Sequence, residues 1–201
     1  LFLEFCRTPT TLNEEQKKEV AAIDWTTILH APGMPPYTHD FSNSLSADSH
    51  ALGQKWISAF NSGNYKGAFV PADIEPWSTQ QRLIFLDVLL EHFDKSKLPP
   101  SKEFLAELDK AYGLTPVKNA EIRFKWQCLC IRGEYKMILP HVKEFLVKQG
   151  RMKFVRPLYR QLASSKMGAE QAQELFEKKH LMYHPIARKM VKSDLEKIKV
   201  K

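Results

Sequence analysis

The clearest helix signals in this chain bound the stretch PPSKEFLAELDKAYG, residues 99–113. Proline has no backbone N–H and suits the first turn of a helix, and the hydroxyl of Ser101 can accept a hydrogen bond from a free N–H there. Gly113 follows the last apolar residue, where helices commonly end. Apolar residues at helical spacing lie between these two signals, and they are Phe104, Leu105, Leu108 and Tyr112. The stretch therefore predicts a short helix with one buried face.

Similar helix signals recur along the rest of the chain. Starts are marked at Asn13, Asp24, Ser78 (with Gln81 as a capping box) and Pro185, and ends at Gly133 and Gly150. No segment alternates apolar and polar residues in the manner of a strand. We therefore predict an all-α fold of roughly nine helices, either as a bundle or as a stacked α–α superhelix. Pro140 is expected to kink or divide the helical segment of residues 135–149.

The composition favours one well-packed domain, or at most two. The chain has 201 residues, of which 43% are hydrophobic and 11% aromatic, with only 8 glycines, whereas disordered chains have the opposite bias. The first residues, LFLEF, have neither the basic region nor the long apolar run of a signal peptide, and no stretch is long enough to span a membrane. We therefore expect a soluble fragment of a longer chain.

Three cysteines, Cys6, Cys128 and Cys130, form an odd set that fits neither a disulfide framework nor a zinc knuckle. The C-x-C pair lies in a helical pattern, where residues two apart point to different faces. We expect free, mostly buried thiols in a reducing cytosol, and hence a cytoplasmic protein.

The net charge of +7 conceals a split between the two halves of the chain. Residues 1–114 contain 10 Lys and Arg against 15 Asp and Glu, a charge of −5, whereas residues 115–201 contain 20 against 8, a charge of +12. Such a basic half is typical of proteins that bind nucleic acid or an acidic surface. It is equally typical of a wall that steers anionic substrates into a neighbouring cleft, so charge alone leaves both functions open.

His180 and His184 are four residues apart, a spacing at which two histidines on a helix can share a metal. Zinc proteases need H-E-x-x-H, but the glutamate position is Leu181, and Pro185 predicts a break in the helix after His184. No nucleophile elbow, phosphate-binding glycine loop or nucleotide fingerprint occurs. We therefore predict no metal site, no catalytic residue and no complete active site in this sequence.

The most informative segment for function is QGRMKF, residues 149–154. A helix that restarts after Gly150 offers backbone N–H groups to an anion, and Arg151 and Lys153 add two full charges there. Solvated surface cations are the alternative interpretation of the same residues.

This segment resembles the C-terminal domain of the leukotriene A(4) hydrolase and aminopeptidase family. Further stretches match in order and cover nearly the whole chain: IDW at 23–25, PGMPP at 32–36, KWI at 55–57, LPP at 98–100 and NAEIRFKW at 119–126. The NAEIR pattern is shared with aminopeptidase B relatives, whereas RMKF at 151–154 favours the hydrolase branch. The resemblance implies a lead-in of residues 1–22, partly outside the family pattern, and a C-terminal helical domain of residues 23–201. Within it, Glu121 is expected to cap its helix or pair locally.

The resemblance also implies the architecture and the activity. The fold would be a right-handed α–α superhelix with two helical layers, like armadillo or HEAT arrays. The parent would be a bifunctional zinc aminopeptidase and leukotriene A(4) epoxide hydrolase, whose zinc ligands and glutamate base lie in a preceding catalytic domain. This chain would form one wall of the cleft, with Arg151 as the principal ligand of the carboxylate of a peptide or fatty-acid epoxide, and Lys153 beside it. By itself the domain would bind no zinc and be inactive.

A freestanding basic helical scaffold that binds RNA or acidic proteins is the alternative function. RNA-binding surfaces usually combine cations with exposed aromatic residues or glycine-rich segments. Here the tryptophans occur at spacings that predict packing between helices, and they are Trp25, Trp56, Trp77 and Trp126. We therefore expect no nucleic-acid partner.

Overall fold

The computed structural model describes residues 12–34, 40 and 43–199. Within these residues all regular structure is helical, without a strand, so the predicted all-α class is confirmed there. The α-helices are α1 (Glu14–Ala22), α2 (Trp25–His30), α3 (Ser44–Ser62), α4 (Thr79–Ser96), α5 (Lys102–Tyr112), α6 (Ala120–Arg132), α7 (Leu139–Lys148), α8 (Met152–Ser164), α9 (Ala169–Lys179) and α10 (Pro185–Lys199). None of the helices in this part of the chain is both long and apolar enough to cross a membrane.

The chain divides into two compact units, Leu1–Ser42 and Asn43–Lys201. In the first unit, α1 and α2 begin after Asn13 and Asp24, whose side chains accept hydrogen bonds from backbone N–H groups of the first turn, as predicted. Neither helix contains a buried residue. The boundary between residues 22 and 23, which the resemblance implies for the family's domain, falls between these two helices and stays a prediction.

The second unit contains α3 to α10. Alternate helices α4, α6, α8 and α10 pack against one another in chain order, while α3 packs on α4 and α9 packs on α8. This order of contacts is that of a stacked array, in which every second helix belongs to the same layer. It favours the α–α superhelix over a simple bundle, and the right-handed sense of the superhelix stays a prediction.

The stretch of residues 99–113 forms α5, with Ser101 as its N-cap residue, so Pro99 and Pro100 lie just before the helix. Ser101 Oγ accepts a hydrogen bond of 3.1 Å from the Phe104 N–H. The helix ends at Gly113, which has a φ of 57°, a conformation that glycine adopts without steric cost. Its apolar face, including Leu105 and Leu108, is buried.

Pro140 divides the segment of residues 135–149 and does not kink a continuous helix. A 3-10 turn covers Lys136–Ile138, α7 begins at Leu139, and Pro140 lies in its first turn. The first N–H groups of a helix have no intrahelical acceptor, so a proline is tolerated there. Of the two expected outcomes, division is therefore the one found.

The tryptophans of the second unit pack in its core, as predicted. Trp56 and Trp126 are buried, and Trp77 packs against the same core. Nε1 of Trp56 donates a hydrogen bond of 3.0 Å to the hydroxyl of Tyr112, which supplies the acceptor that a buried indole needs. Trp25, in the first unit, is half-buried.

Helix α6 has the largest share of buried residues in the array, and it packs against both α4 and α8. It carries Cys128 and Cys130, which are both free and buried. The predicted burial of the thiols is confirmed for these two, and Cys6 lies outside the described residues. A cytoplasmic location, which such thiols favour, stays a prediction.

Candidate carboxylate-binding site

Arg151 and Lys153 lie where one helix ends and the next begins. Helix α7 ends at Lys148, and α8 begins at Met152 with Arg151 as its N-cap residue. Gly150 lies in the break, but its φ is not positive, and a Cβ there would meet no atom within 4 Å. The helix restarts as predicted, although neither backbone strain nor crowding requires glycine at this position.

The two cations meet at a single carboxylate. Lys153 Nζ lies 2.6 Å from each carboxylate oxygen of Glu121, and Arg151 Nη1 lies 3.9 Å from Oε1 of the same residue. Glu121 lies in the first turn of α6, where its N–H donates to Asn119 Oδ1 at 3.0 Å. The packing of α6 against α8 therefore brings the N-terminal turns of both helices together.

An aromatic ring lies beneath both cations. Arg151 Cζ and Lys153 Nζ are 5.7 and 5.5 Å from the centroid of the Phe154 ring, within the range of cation–π attraction. Phe154 is buried and packs against Phe124 and Phe145, at centroid distances of 5.4 and 5.7 Å. Both cations therefore lie against an aromatic ring that is packed in the core.

The two cations differ in how available they are to a ligand. The side chain of Arg151 is 67% exposed and that of Lys153 is 50% exposed. The ammonium of Lys153 makes a close ion pair with Glu121, whereas the 3.9 Å contact of Arg151 is longer than a hydrogen bond. Arg151 is therefore the open cation of this site, and Lys153 is the paired one.

The position of these cations is unfavourable for α8 itself. The N-terminus of a helix carries partial positive charge, which stabilises acidic residues and disfavours cations. The first turn of α8 has no acidic residue, and Arg151 makes no side-chain cap hydrogen bond. Pro157 also lacks an N–H, so the carbonyl of Lys153 loses its usual intrahelical donor. Such local conflicts are typical of functional sites, and here the combined positive charge suits a bound anion.

Glu121 is the residue of this site that the sequence did not identify. The sequence predicts that Glu121 caps its helix or pairs locally, but Asn119 is the cap, and the partner of Glu121 is Lys153, 32 residues later on another helix. Arg123 likewise reaches a different helix, with Nη2 at 3.2 Å from Glu144 Oε2. The one sequence signal for Glu121 is its place in the NAEIR stretch, residues 119–123, which carries the family resemblance.

The predicted break before Pro185 is present, and it begins earlier than expected, because α9 ends at Lys179 and both His180 and His184 lie in the connection to α10. His180–Met182 form a 3-10 turn and α10 starts at Pro185, so the two histidines do not share one helix. His184 Nδ1 accepts a hydrogen bond of 3.3 Å from the Ile186 N–H. Among the residues that the structure describes, no three His, Cys, Asp or Glu side chains lie close enough together to hold a metal ion.

Comparison with known proteins assigns the chain to a family. The family model described as leukotriene A4 hydrolase, C-terminal, matches residues 77–195, which include Glu121, Arg151 and Lys153. The chain belongs to this family. Leukotriene A-4 hydrolase of Xenopus laevis is 36% identical over 173 residues, which are 86% of this chain and 27% of that protein. Leucine aminopeptidase 2 of Neurospora crassa is 36% identical over 194 residues, which are 96% of this chain and 27% of that protein.

Solved structures of the leukotriene A4 hydrolase family have the same fold as this chain. Native LTA4 hydrolase of yeast matches with a TM-score of 0.77 and 30% identity, over 96% of this chain and 31% of that one. The complex of yeast LTA4 hydrolase with bestatin matches with a TM-score of 0.78 over the same shares of both chains. The chain spans less than a third of the length of these relatives, and the family model that it matches is that of their C-terminal part.

Proposed function

We propose that this chain forms one wall of the substrate cleft of a larger aminopeptidase and epoxide hydrolase, in which Arg151 binds the terminal carboxylate of the substrate. The observation that carries the proposal is the exposed guanidinium of Arg151, beside a paired ammonium and above a buried phenylalanine. The relatives named leukotriene A-4 hydrolase and leucine aminopeptidase 2 indicate the two classes of substrate, a fatty-acid epoxide and a peptide.

One cationic site can serve both substrates because each ends in a carboxylate. A guanidinium donates two parallel hydrogen bonds to a carboxylate, which fixes its direction as well as its position. Arg151 lies at the N-terminus of α8, where the helix dipole adds to the attraction for an anion. Holding the far end of a substrate in this way places its reacting end at a set distance, which lowers the entropic cost of the reaction.

The remainder of the enzyme would supply the chemistry. We expect zinc in the parent enzyme, but the described residues do not fit a zinc site, since they bring no three ligating side chains together. We therefore assign this chain the binding and orientation of substrate and no catalytic step. Its partner is the preceding catalytic domain of the same polypeptide, and the chain alone should be inactive.

Substitution of Arg151 in the full-length enzyme tests the proposal. Arg151→Ala should lower kcat/KM for a tripeptide by about ten- to a hundredfold, since hydrogen bonds to charged groups contribute about 1.5–3 kcal/mol. The control substrate is the same tripeptide with an amidated C-terminus, which should be slow with the wild type and nearly indifferent to the substitution. Equal losses for both substrates would show that Arg151 supports structure and does not bind the carboxylate.

The alternative function, a scaffold for RNA or acidic proteins, has less support. Arg123, Lys125 and Arg156 of the basic half form ion pairs with other helices. The large aromatic residues Trp56 and Trp126 are buried and cannot stack on bases. RNA binding at physiological salt with a steep dependence on salt concentration would favour the scaffold instead.

A further inference from the structure

We infer that Glu121 limits the charge of the carboxylate-binding site, so that the site accepts a substrate end with one carboxylate and disfavours an end with two. This inference rests on the proposed function of Arg151. It assigns Glu121 two effects on specificity: it positions the ammonium of Lys153, and it places a fixed negative charge beside Arg151.

The ammonium of Lys153 is already bound by the carboxylate of Glu121. Lys153 Nζ lies 2.6 Å from both carboxylate oxygens of Glu121, so a substrate carboxylate that bound Lys153 would have to displace a partner already in place. Arg151, at 3.9 Å from the same carboxylate, gives up no hydrogen bond when it binds a ligand. The incoming carboxylate should therefore bind Arg151, with Lys153 and Glu121 as neighbours.

The main chain of Glu121 is fixed by its own helix, and its carboxylate is held by Lys153. Its side chain is 28% exposed, and it lies in the first turn of α6, where the helix dipole stabilises a negative charge. Asn119 caps that turn through hydrogen bonds from the N–H groups of Glu121 and Ile122. Turning the carboxylate away would leave Lys153 without this partner, so Glu121 should stay in place when a ligand binds.

The summed charge of Arg151, Lys153 and Glu121 then decides which ligand the site accepts. Two cations and one carboxylate give the group a formal charge of +1. One bound carboxylate brings that charge to zero, whereas a second carboxylate on the same end of the substrate makes it negative and lies close to Glu121. Repulsion between this second carboxylate and Glu121 should weaken the binding of such a substrate.

Two tripeptides that differ in one charge test the inference in the full-length enzyme. One ends in glutamine and the other in glutamate, and each has a free C-terminal carboxylate, so the wild type should prefer the glutamine peptide. Glu121→Gln keeps the shape of the side chain and removes its charge. It should raise kcat/KM for the glutamate peptide, relative to the glutamine peptide, by about five- to tenfold, mainly through KM. An unchanged ratio overturns the inference.

A second set of variants tests whether Glu121 acts through charge. Lys153→Met leaves Glu121 beside Arg151 without its ammonium partner, so kcat/KM for the glutamine peptide should fall. The double variant E121Q/K153M restores the formal charge of +1 and should recover wild-type kcat/KM to within about threefold. A double variant as slow as Lys153→Met alone overturns the inference.

Glu174→Gln is the matched control, because Glu174 also pairs with a lysine, Lys178, but within helix α9. It should leave the ratio of kcat/KM for the two peptides unchanged, and an equal shift with this variant would overturn a local role for Glu121.

Different results would overturn the carboxylate site of Arg151 and the role of Glu121. Equal effects of Arg151→Ala on free and amidated ends would overturn the carboxylate site itself, whereas a normal Arg151 result with an unchanged glutamate-to-glutamine ratio overturns only the role of Glu121.

Discussion

Arg156 holds Asp194 by two hydrogen bonds, from Nε to Oδ2 at 2.6 Å and from Nη2 to Oδ1 at 3.1 Å. The pair joins α8 to α10, and α8 is the helix whose N-terminus carries Arg151. The side chain of Asp194 is only 9% exposed, and Arg160 Nε lies 3.9 Å from the same carboxylate. Because a two-point contact fixes direction as well as distance, this pair orients α8 against the last helix.

Asp194→Asn should lower the free energy of unfolding by about 1–3 kcal/mol, because Arg156 loses an ionic partner in a partly buried contact. The hydrogen bond from Arg156 lowers the pKa of the Asp194 carboxyl. Its contribution to stability is therefore complete above the ordinary pKa of about 4 and is lost as the pH falls through the lowered value. Urea unfolding at neutral pH and at a series of acid pH values measures both effects.

Glu196→Gln in the same helix is the control for Asp194. Glu196 is exposed, and its contact with Lys192 is 3.9 Å, so its removal should hardly change the stability or its dependence on acid. A loss equal to that of Asp194→Asn would show that the general charge of α10, and not the pair with Arg156, sets the stability.

Lys153→Ala should reduce kcat/KM for a tripeptide less than Arg151→Ala does, by about three- to tenfold. The reason is that Lys153 is already paired with Glu121 and should therefore act on the ligand mainly by long-range attraction. Arg151→Lys should lie between the wild type and Arg151→Ala, since an ammonium keeps the charge but not the two parallel donors. Steady-state kinetics of the three variants measure this order, and a larger loss for Lys153→Ala would make Lys153 the principal ligand.

Cys128 and Cys130 should not react with a thiol reagent while the chain is folded. Burial raises the pKa of the Cys128 thiol to about 12 and that of the Cys130 thiol well above its ordinary value, and the thiolate is the reactive form. Alkylation at about pH 8, followed by mass analysis of peptides, should label neither cysteine in the native chain and both in denaturant. Rapid labelling of either one in the native chain would contradict the buried position of α6.

The chain by itself should fold as mostly helix without a metal ion, because its apolar residues form one core cluster and the described residues bring no three ligands together. Circular dichroism spectra before and after treatment with a chelator should therefore coincide. A loss of helicity on chelation would show that a metal contributes to the fold.

The same preparation should hydrolyse no aminoacyl substrate, with or without added zinc, because the sequence offers no H-E-x-x-H pattern to provide a general base. The assay uses the chain free of any parent enzyme. Zinc-dependent turnover that a chelator abolishes would contradict the proposal that this chain is a non-catalytic wall of the cleft.

The helix limits in this protein were predictable from the sequence because they depend on short-range contacts. Ser78 and Gln81 form their capping box across three residues, with the Ser78 N–H donating to Gln81 Oε1 at 3.1 Å. Ser101 and Gly113 bound α5 in the same way. Caps, prolines and glycines act on the backbone within one turn. Their effect therefore does not depend on contacts with distant parts of the chain.

Short segments of sequence were thus enough to predict the helices, the all-α class and the two cations at the start of α8. Which charges meet depends instead on how the helices pack. In a chain with 30 basic and 23 acidic residues, any Lys or Arg could pair with many carboxylates, and the sequence does not choose among them. The packing of α6 and α10 against α8 selects Glu121 for Lys153 and Asp194 for Arg156, because an ion pair forms only where folding brings both groups within a few ångströms.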